Sequence, residues 1–489
     1  RDNNRYKVVW QVLQALRAHD ERMDAAINQI ELNHKAPESI LVDTVDLSPK
    51  KKAKTNVGGN AGGGDSPGGG NGDDGEGEPT YVQPALQFPV GEWKDSVYAK
   101  IVDKCGNRMY WEDWSKDIAD IANKHIVLIN NLLTEANPEH RKAFDDFIQG
   151  LQENLNPEID QAQAVEMLAQ HLVTKPVFDA MFTDSNFTEH NPVSLAMQNI
   201  LNQLDDHSAF EKERAGLEKF YDSVRARVKS IDNAAAKQKI ILELYDNFFR
   251  NAFPRVADRL GIVFTPVPVV DYILRSADAA LRLEFSKSLS DEGVSILEPF
   301  VGTGTFVTRL LQSGLIKPED LHRKYTQELY ANEIVLLSYY IAAINIETVF
   351  AEESTKHGLD HGYVPFDGIA LTDTFQLNES DGAFDSVVFP ENSERVQRQK
   401  NQDIRVIVMN PPYSTGQTSA NDNNQNQKYP LLDASIAESY AKLSTATNKN
   451  SLYDSYIRGI RWAANRIKHD GVIAFVSNGY FIDGNTADG

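Results

Sequence analysis

Apolar residues in the second half of the chain occur in short runs separated by segments of helix length. The runs are VSILEPF (294–300), QELYANEI (327–334), GIALTDTF (368–375), RVIVMN (405–410) and GVIAFVSN (471–478). Short apolar strands that alternate with helices are typical of βαβ units and of a parallel sheet. Because ligands of such sheets bind beyond the carboxyl ends of the strands, the residues at those ends are the first candidates for chemistry.

The region before these runs has the periodicity of helices. In IADIANKHIVLINNLL (118–133), apolar residues recur at helical spacing from Ile118 to Leu132. Turns between such segments are marked by Asn-Pro pairs at 137–138, 156–157 and 191–192. The histidines of this region lack metal-ligand spacing and are assigned surface or core roles: His125, His140, His171, His190 and His207. The pattern predicts an all-α domain over residues 86–234, followed by an α/β domain over 235–489.

The first 85 residues divide into two parts. Residues 1–35 have a helical pattern, with apolar positions from Val8 to Ile27. The stretch NVGGNAGGGDSPGGGNGDDGEGE (56–78) cannot bury a core, because it consists of glycine runs with scattered acids. We therefore predict a flexible acidic linker or loop over residues 46–85.

Composition narrows the class of protein. The 489 residues suffice for several domains, and no apolar run approaches the ~18 residues of a membrane span. The one cysteine, Cys105, excludes an internal disulfide framework and a cysteine zinc site, so we expect a reducing cytoplasm and no metal. The net charge of −21 argues against nucleic acid as a partner of this chain alone. The chain opens at Arg1 and ends at Gly489 just past a promising motif, so we expect a piece of a longer polypeptide.

The first predicted strand ends in a glycine loop, LEPFVGTGTF. Gly302 and Gly304 permit a tight turn and close approach of the backbone to a ligand, and a helix follows directly. The spacing lacks the third glycine of dinucleotide sites and the Lys-Ser/Thr of phosphate loops. Glu298 and Pro299 precede the loop, and a carboxylate there favours a cationic ligand over a phosphate. The loop is also compatible with a plain turn from strand to helix.

Two further acids end the next strands. Glu333 follows the second run, where an acid can accept hydrogen bonds from both hydroxyls of a ribose. Asp373 ends the third. Each has a simpler interpretation, as a helix cap and as a turn residue. Polar or glycine-rich ends on four strands of one sheet favour a binding site over coincidence.

The fourth strand ends in Asn410-Pro411-Pro412-Tyr413. The prolines fix φ and remove two backbone donors, so nearby carbonyls stay available as acceptors. The Asn410 side chain adds a carbonyl acceptor, and together these groups can hold both hydrogens of an amino group. Tyr413 offers a flat face for a planar base, a contact of roughly 1–3 kcal/mol. The motif predicts a site for an amino group conjugated to a ring.

The motifs FTPVPVVDYIL, LEPFVGTGTF, ANEI, LTDTF, NPPY and GVIAFVSNGYF together resemble those of γ-class amino-DNA methyltransferases, in the same order. Those enzymes methylate adenine N6 with S-adenosylmethionine. GIVFTPVPVVDYIL, DGIALTDTFQL and VWQVLQALRAHDERMDAAINQIEL further resemble Type ISP restriction–modification enzymes. These are single polypeptides that join a nuclease, a helicase-like motor, a helical coupler, a methyltransferase and a target-recognition domain.

The resemblance implies which domain of a Type ISP enzyme each region of the chain forms. It implies the C-terminal end of the motor for residues 1–45, the coupler for 86–234, and a Rossmann-like methyltransferase sheet for 235–489. No nuclease or ATPase motif is found in the chain, so those activities, and target recognition, are expected in the parent polypeptide. Double-stranded DNA is the implied partner. Two polar stretches, 379–403 and 415–428, exceed what the core fold needs, and the second is interpreted either as a mobile loop closing over DNA or as disorder.

The resemblance also implies roles for individual residues. The residues implied to bind S-adenosylmethionine are Thr265, Pro266, Glu298, Pro299, Gly302, Gly304, Phe306, Glu333 and Asp373. Glu298 and the two glycines would hold its methionine end, Glu333 its ribose, and Asp373 would lie near its adenine amino group. Asn410, Pro411, Pro412 and Tyr413 would hold the target adenine, which must be flipped out of the duplex to reach them.

Two rival functions remain open from the sequence. Protein-glutamine and some RNA methyltransferases also carry an Asn-Pro-Pro-Tyr loop, because a glutamine amide is likewise a planar conjugated amino group. Such enzymes are compact, and the long helical region has no role in them. A second rival is a coupling module that binds the cofactor without catalysis.

Overall fold

The structure is a computed structural model that describes residues 108–135, 138–181, 187–204, 265–359, 361–379, 387–413, 429–484 and 486–487. All of them belong to one compact unit, Leu86–Gly489. The predictions for the motor segment 1–45, its helix at 1–35, the linker 46–85 and the Asn-rich stretch 415–428 lie outside the described residues.

Helices make up the first part of this unit. Their bounds are α1 Arg108–Glu135, α2 Pro138–Asn154, α3 Gln161–Met181, α4 Phe187–His190 and α5 Pro192–Leu204. Two of them begin at the proline of an Asn-Pro pair, a position that suits proline because the first turn leaves its N–H unpaired. Asn191 caps α5, because its Oδ1 accepts hydrogen bonds from the backbone N–H groups of Val193 and Ser194 at 3.1 and 3.0 Å. The predicted turns at 137–138 and 191–192 are therefore helix starts.

Strands and helices alternate in the second part. The order is α6 Val267–Phe285, β1 Ser295–Glu298, α7 Thr305–Gln312, β2 Leu329–Glu333, α8 Leu336–Lys356, β3 Ile369–Leu371, α9 Pro390–Asn401, β4 Ile404–Met409, α10 Pro430–Ile436, α11 Ser455–Arg466, β5 Val472–Phe475 and α12 Tyr480–Asp483. Shorter helical turns lie at Pro318–Asp320, Leu321–Arg323, Lys324–Glu328, Gln376–Asn378, Ala437–Ala441 and Asn450–Tyr453. Four of the five predicted apolar runs contain one of these strands, and the run 405–410 covers β4 except for its first residue, Ile404.

The five strands form one sheet in the order β3-β2-β1-β4-β5, and every neighbouring pair is parallel. The winding reverses between β1 and β4, because the chain builds outward from β1 to β3 and then returns to the other side. In sheets of this kind the reversal point opens a crevice beyond the carboxyl ends of the two strands. The predicted fold, an α/β Rossmann-like sheet after a helical region, is confirmed.

Both faces of the sheet are covered. On one face, Ile296 and Val406 pack in a core that includes Leu274 of α6 and Phe306 of α7. On the other, Leu297, Ile407 and Met409, which alternate with these along the strands, share a core with Leu432 of α10 and Trp462 of α11. Burial on both faces explains why the strands occur as continuous apolar runs in the sequence.

The helical region and the sheet share the first of these cores. Tyr340 of α8 packs edge-on against Phe178 and Phe187, with ring centroids 6.1 and 6.0 Å away. Its hydroxyl lies 3.0 Å from Nδ1 of His171, and the side chain of Asn191 donates to the hydroxyl of Tyr339 at 3.2 Å. Burial, with a contribution from Lys175, lowers the pKa of His171 to about 3, so the ring is neutral. Its full burial makes it a core residue, one of the two roles predicted for the histidines of this region.

A second contact joins the end of α2 to the sheet. Thr372, directly after β3, donates its hydroxyl hydrogen to the backbone carbonyl of Asn154 at 3.1 Å. Ser393 of α9 donates to Oδ1 of the same asparagine at 2.9 Å, and all three residues are buried. The last turn of α2 is therefore fixed to the carboxyl end of β3. We call Asn154, Thr372 and Ser393 the α2–β3 junction.

Helix α9 corrects one expectation, since it belongs to a stretch interpreted as surplus to the core fold. It belongs to the crossover from β3 to β4, which lie on opposite sides of β1 and run in the same direction, so that a tight hairpin cannot join them. Asn392 donates to the carbonyl of Leu371 and accepts from its N–H, both at 2.9 Å. Gln399 donates to Oδ1 of Asn332 at 2.8 Å. The sequence pattern missed the helix because its buried side chains, apart from Val396, are polar and are paired by hydrogen bonds.

Candidate active site

Two loops converge at the point where the sheet reverses. One follows β1 and contains the glycines; the other follows β4 and contains Asn410 to Tyr413. Gly459 of α11 lies against both, because a Cβ atom built on it would come within 2.9 Å of Cβ of Pro411 and 3.3 Å of the ring of Phe300. The missing side chain thus allows the proline loop to rest on the helix, at a cost in helix propensity of about 1 kcal/mol.

The glycine loop adopts a conformation that other residues disfavour. Gly302 and Gly304 have φ values of 55° and 88°. A Cβ on Gly304 would come within 3.3 Å of the backbone of Ala342 in α8, whereas one on Gly302 would meet no atom within 4 Å. Gly304 is therefore needed for close packing, and Gly302 leaves open space on its side of the loop.

Glu333, at the end of β2, fastens this loop. Its Oε2 accepts the N–H of Gly302 at 2.8 Å, and its Oε1 accepts those of Ile334 and Val335 at 3.0 and 2.9 Å. Burial raises the pKa of Glu333 to about 7, although these backbone hydrogen bonds act in the opposite direction. The simpler interpretation as a helix cap is not supported, because α8 has no side-chain cap hydrogen bond and the donors Ile334 and Val335 lie before its first residue. A carboxylate has about four acceptor positions, so the ribose role is compatible with these bonds.

Glu298, the last residue of β1, is almost completely buried, with 2% of its surface exposed. Burial raises its pKa well above the ordinary value, and the neighbouring Glu333 adds to the rise, while a hydrogen bond from the N–H of Val307 lowers it. Its Oε2 has no hydrogen-bond partner among the described residues. A buried acceptor of this kind is costly unless a ligand satisfies it, and a cationic group does so best.

Asp373 lies just beyond β3 and is also buried. Oδ1 accepts the N–H of Phe375 at 2.9 Å, and Oδ2 accepts the hydroxyl of Tyr429 at the same distance. Burial raises the pKa of Asp373 to about 6, and the hydrogen bond from Tyr429 is the largest opposing effect. The next residue, Thr374, donates to the carbonyl of Pro299 at 2.5 Å, so this strand end is tied to the loop after β1.

Asn410 is held from two sides. Its Nδ2 donates to Oγ1 of Thr265 at 3.0 Å, and its Oδ1 accepts the hydroxyl of Tyr413 at 3.2 Å. The ring of Tyr413 packs beside Tyr456, with centroids 5.8 Å apart. The four-residue motif therefore forms an ordered loop whose amide is already oriented.

The remaining predicted residues have simpler surroundings. Pro266 is the N-cap of α6, with φ of −58°, and its carbonyl accepts the N–H of Val269 at 2.8 Å. Phe306, in the first turn of α7, is part of the apolar core. Pro412 is partly exposed beside the buried Pro411. No sequence pattern indicates Tyr429 or Gly459, which act only through contacts made in the folded chain.

Two family models match the chain. The Type ISP restriction-modification enzyme coupler domain matches residues 110–236, and the N-6 DNA methylase family matches residues 236–476. The second match contains each of the strand ends described above. A search of curated proteins gave no match.

Three solved structures of DNA complexes also resemble this chain. The chain resembles a nuclease-deletion mutant of the Type ISP enzyme LlaGI in complex with a DNA substrate mimic, with 48% identity and a TM-score of 0.73 over 82% of this chain and 32% of that one. It resembles the ATP-dependent Type ISP enzyme LlaBIII bound to DNA, with 48% identity and a TM-score of 0.73 over 83% and 28%. It also resembles DrdV in a DNA complex, with 35% identity and a TM-score of 0.69 over 78% and 36%. The chain thus spans about a third of the length of these relatives.

The described residues contain neither a cluster of metal ligands nor a membrane-spanning helix. Within the described ranges, no three His, Cys, Asp or Glu side chains are grouped as metal ligands would be. No helix in the part of the chain that the structure describes has the length and apolarity of a membrane span.

From the two family matches and the shared fold, the chain carries the coupler domain and the N-6 DNA methylase domain of the Type ISP restriction-modification enzymes.

Proposed function

We propose that this chain methylates the N6 of adenine in double-stranded DNA, as the modification part of a longer restriction–modification enzyme in the bacterial cytoplasm. One observation carries the proposal: a glycine loop beside a buried carboxylate, whose Oε2 has no partner among the described residues, and an Asn-Pro-Pro-Tyr loop meet at the reversal point of one sheet. The first suits a cationic cofactor, and the second suits an amino group on a planar ring.

S-Adenosyl-L-methionine is the cofactor that these residues fit. When bound, it supplies an electrophilic methyl group on a sulfonium. In our proposal Glu298 accepts from its ammonium group, since Oε2 of Glu298 is buried without a partner among the described residues. Glu333 accepts from the ribose hydroxyls, and Asp373 lies at the adenine end. Gly302, beside open space, lets the backbone approach the methionine part.

The target base is assigned to the loop after β4. A base inside a duplex cannot reach a strand end, so the adenine must be flipped out. Tyr413 then offers its ring for stacking, and Asn410 Oδ1 and the carbonyl of Pro411 accept the two hydrogens of the amino group. These acceptors draw the lone pair of N6 out of conjugation and stabilise the positive charge that develops on the nitrogen as the methyl is transferred. The fixed geometry of the loop supplies alignment, and the proton leaves to water.

DNA is the proposed partner because the three relatives above were solved with DNA or a DNA mimic. The chain itself carries a net charge of −21, so we assign most of the phosphate-binding surface to other parts of the polypeptide. Nuclease and ATPase activities are proposed for the longer polypeptide. The rival substrates, a protein glutamine or RNA, are not favoured, because the matching family is one of DNA methylases.

The test is transfer of labelled methyl from S-adenosylmethionine to mixed-sequence duplex DNA by the longest natural polypeptide that contains the chain, followed by nucleoside analysis. Wild type should give N6-methyladenine, and Asn410→Ala should lose it while keeping cofactor affinity. Asn401→Ala, at the exposed end of α9, is the matched control and should behave as wild type. Label in cytosine, or label that survives in Asn410→Ala, would contradict the proposal.

A further inference from the structure

The role proposed for Asn410 requires one particular end of its side chain to face the base. The carboxamide has an oxygen that accepts hydrogen bonds and an NH2 group that donates them. Only the oxygen can accept from the amino group of adenine. A half-turn about the last side-chain bond exchanges the two ends with little change in shape, so the useful orientation must be imposed by neighbours.

Thr265 is one such neighbour, although it lies 145 residues earlier in the chain. Its Oγ1 accepts a hydrogen bond from Nδ2 of Asn410 at 3.0 Å, which holds the amide in place with its NH2 end on the side of α6. Tyr413 donates its hydroxyl hydrogen to Oδ1 at 3.2 Å, in agreement with the same orientation. An amide oxygen has two lone pairs, so the bond from Tyr413 does not by itself exclude a second bond from a base.

The hydroxyl of Thr265 does not cap the helix that follows it. A threonine beside a helix start commonly caps a backbone N–H, but α6 begins at the N-cap Pro266 without a side-chain cap. Among the described residues, Asn410 is the one hydrogen-bonding partner of the Thr265 side chain. The segment is also stiff, because Pro266 and Pro268 restrict it and the fully buried Val270 anchors α6 in the core.

We infer that Thr265 is a positioning residue for methyl transfer, holding the Asn410 amide so that its oxygen faces the target amino group. Donation from Nδ2 also polarises the amide and makes Oδ1 a better acceptor. This inference rests on the proposed function. It gives Thr265 a role on the base side of the site, beyond the cofactor-pocket role that the family resemblance assigns to this segment.

Two substitutions separate the roles. Thr265→Val keeps the shape of the side chain and removes the hydroxyl; Thr265→Ser keeps the hydroxyl. In the longest natural polypeptide we would measure kcat for DNA methylation, the Kd of S-adenosylmethionine by calorimetry and Tm. We expect Thr265→Val to lower kcat about 10- to 100-fold, as a misoriented reacting group does, with the Kd within about threefold of wild type. Thr265→Ser should recover most of the lost kcat.

Each other outcome overturns the inference. A large rise in Kd at unchanged kcat would make Thr265 a cofactor-pocket residue only, and unchanged kcat and Kd would leave it no role. A fall in kcat that Thr265→Ser does not recover, or that accompanies a large fall in Tm, would indicate a packing role. Failure of the proposed function is distinguishable, because wild type itself would then give no N6-methyladenine.

Discussion

Glu298→Gln should change the stability and the cofactor affinity of this protein in opposite directions. The substitution keeps the shape of the side chain and removes the charge that burial disfavours. Folding raises the pKa of Glu298 well above its ordinary value of 4.5. The protonated carboxyl group therefore makes its full contribution to stability below about pH 4.5, and this contribution is lost as the pH rises through the folded-state pKa.

The size of both effects follows from the surroundings of Glu298. Each unit by which the pKa is raised removes about 1.4 kcal/mol of stability once the group ionises, and glutamine avoids that loss. Because the amide still lacks a partner at the position of Oε2, we expect a net gain of about 1–2 kcal/mol at pH 8 that shrinks toward pH 5. Loss of a charge-assisted hydrogen bond to the cofactor ammonium, worth about 1.5–3 kcal/mol, should weaken S-adenosylmethionine binding roughly 10- to 150-fold.

The assay combines urea unfolding at pH 5 and pH 8 without cofactor with calorimetric titration by S-adenosylmethionine. Glu391→Gln, exposed in the first turn of α9, is the control and should change neither quantity. If Glu298→Gln binds the cofactor as tightly as wild type and shows the same stability difference from it at both pH values, the reasoning about the unpartnered oxygen is refuted.

Three further outcomes are expected. Gly459→Ala places a methyl within 2.9 Å of Cβ of Pro411 and should lower kcat; an unchanged kcat would show that the loop moves freely. Cofactor affinity should rise with pH through about 7 as Glu333 ionises, and Glu333→Gln should flatten that dependence in calorimetry. The stability of the cofactor-free protein should have the opposite dependence, because a carboxyl whose pKa is raised by folding stabilises the fold only at lower pH. Asn154→Ala removes the bond from Ser393 and the one it donates to Gly150, and should cost about 1–3 kcal/mol in urea unfolding; no loss would contradict the α2–β3 junction.

Much of the sheet could be read from the sequence. Strands buried on both faces occur as apolar runs, and turns occur at Asn-Pro pairs, because both depend on residues close together in the chain. The same reasoning brought Glu298, Glu333, Asp373 and Asn410 to one edge of the sheet, where the structure has them. Their roles toward cofactor and base remain predictions.

The missed features depend on distant partners. The bond between Thr265 and Asn410 and the bond between Tyr429 and Asp373 join polar side chains far apart in the chain, and such pairs leave no periodic pattern. Helix α9 was missed because pattern analysis treats polar residues as exposed, whereas Asn392 is buried by its bonds to β3. Sequence patterns report burial of apolar surface well and burial of paired polar groups poorly.

The shared core has a consequence for movement. Two bodies joined by a flexible connection can pivot, but Tyr340 is packed among Phe178 and Phe187, and Thr372 is fixed to Asn154. We therefore expect a displacement of the end of α2 to reach the strand end that carries Asp373, one residue away from Thr372. The helical region is thus mechanically coupled to the strand end that we propose for the adenine part of the cofactor.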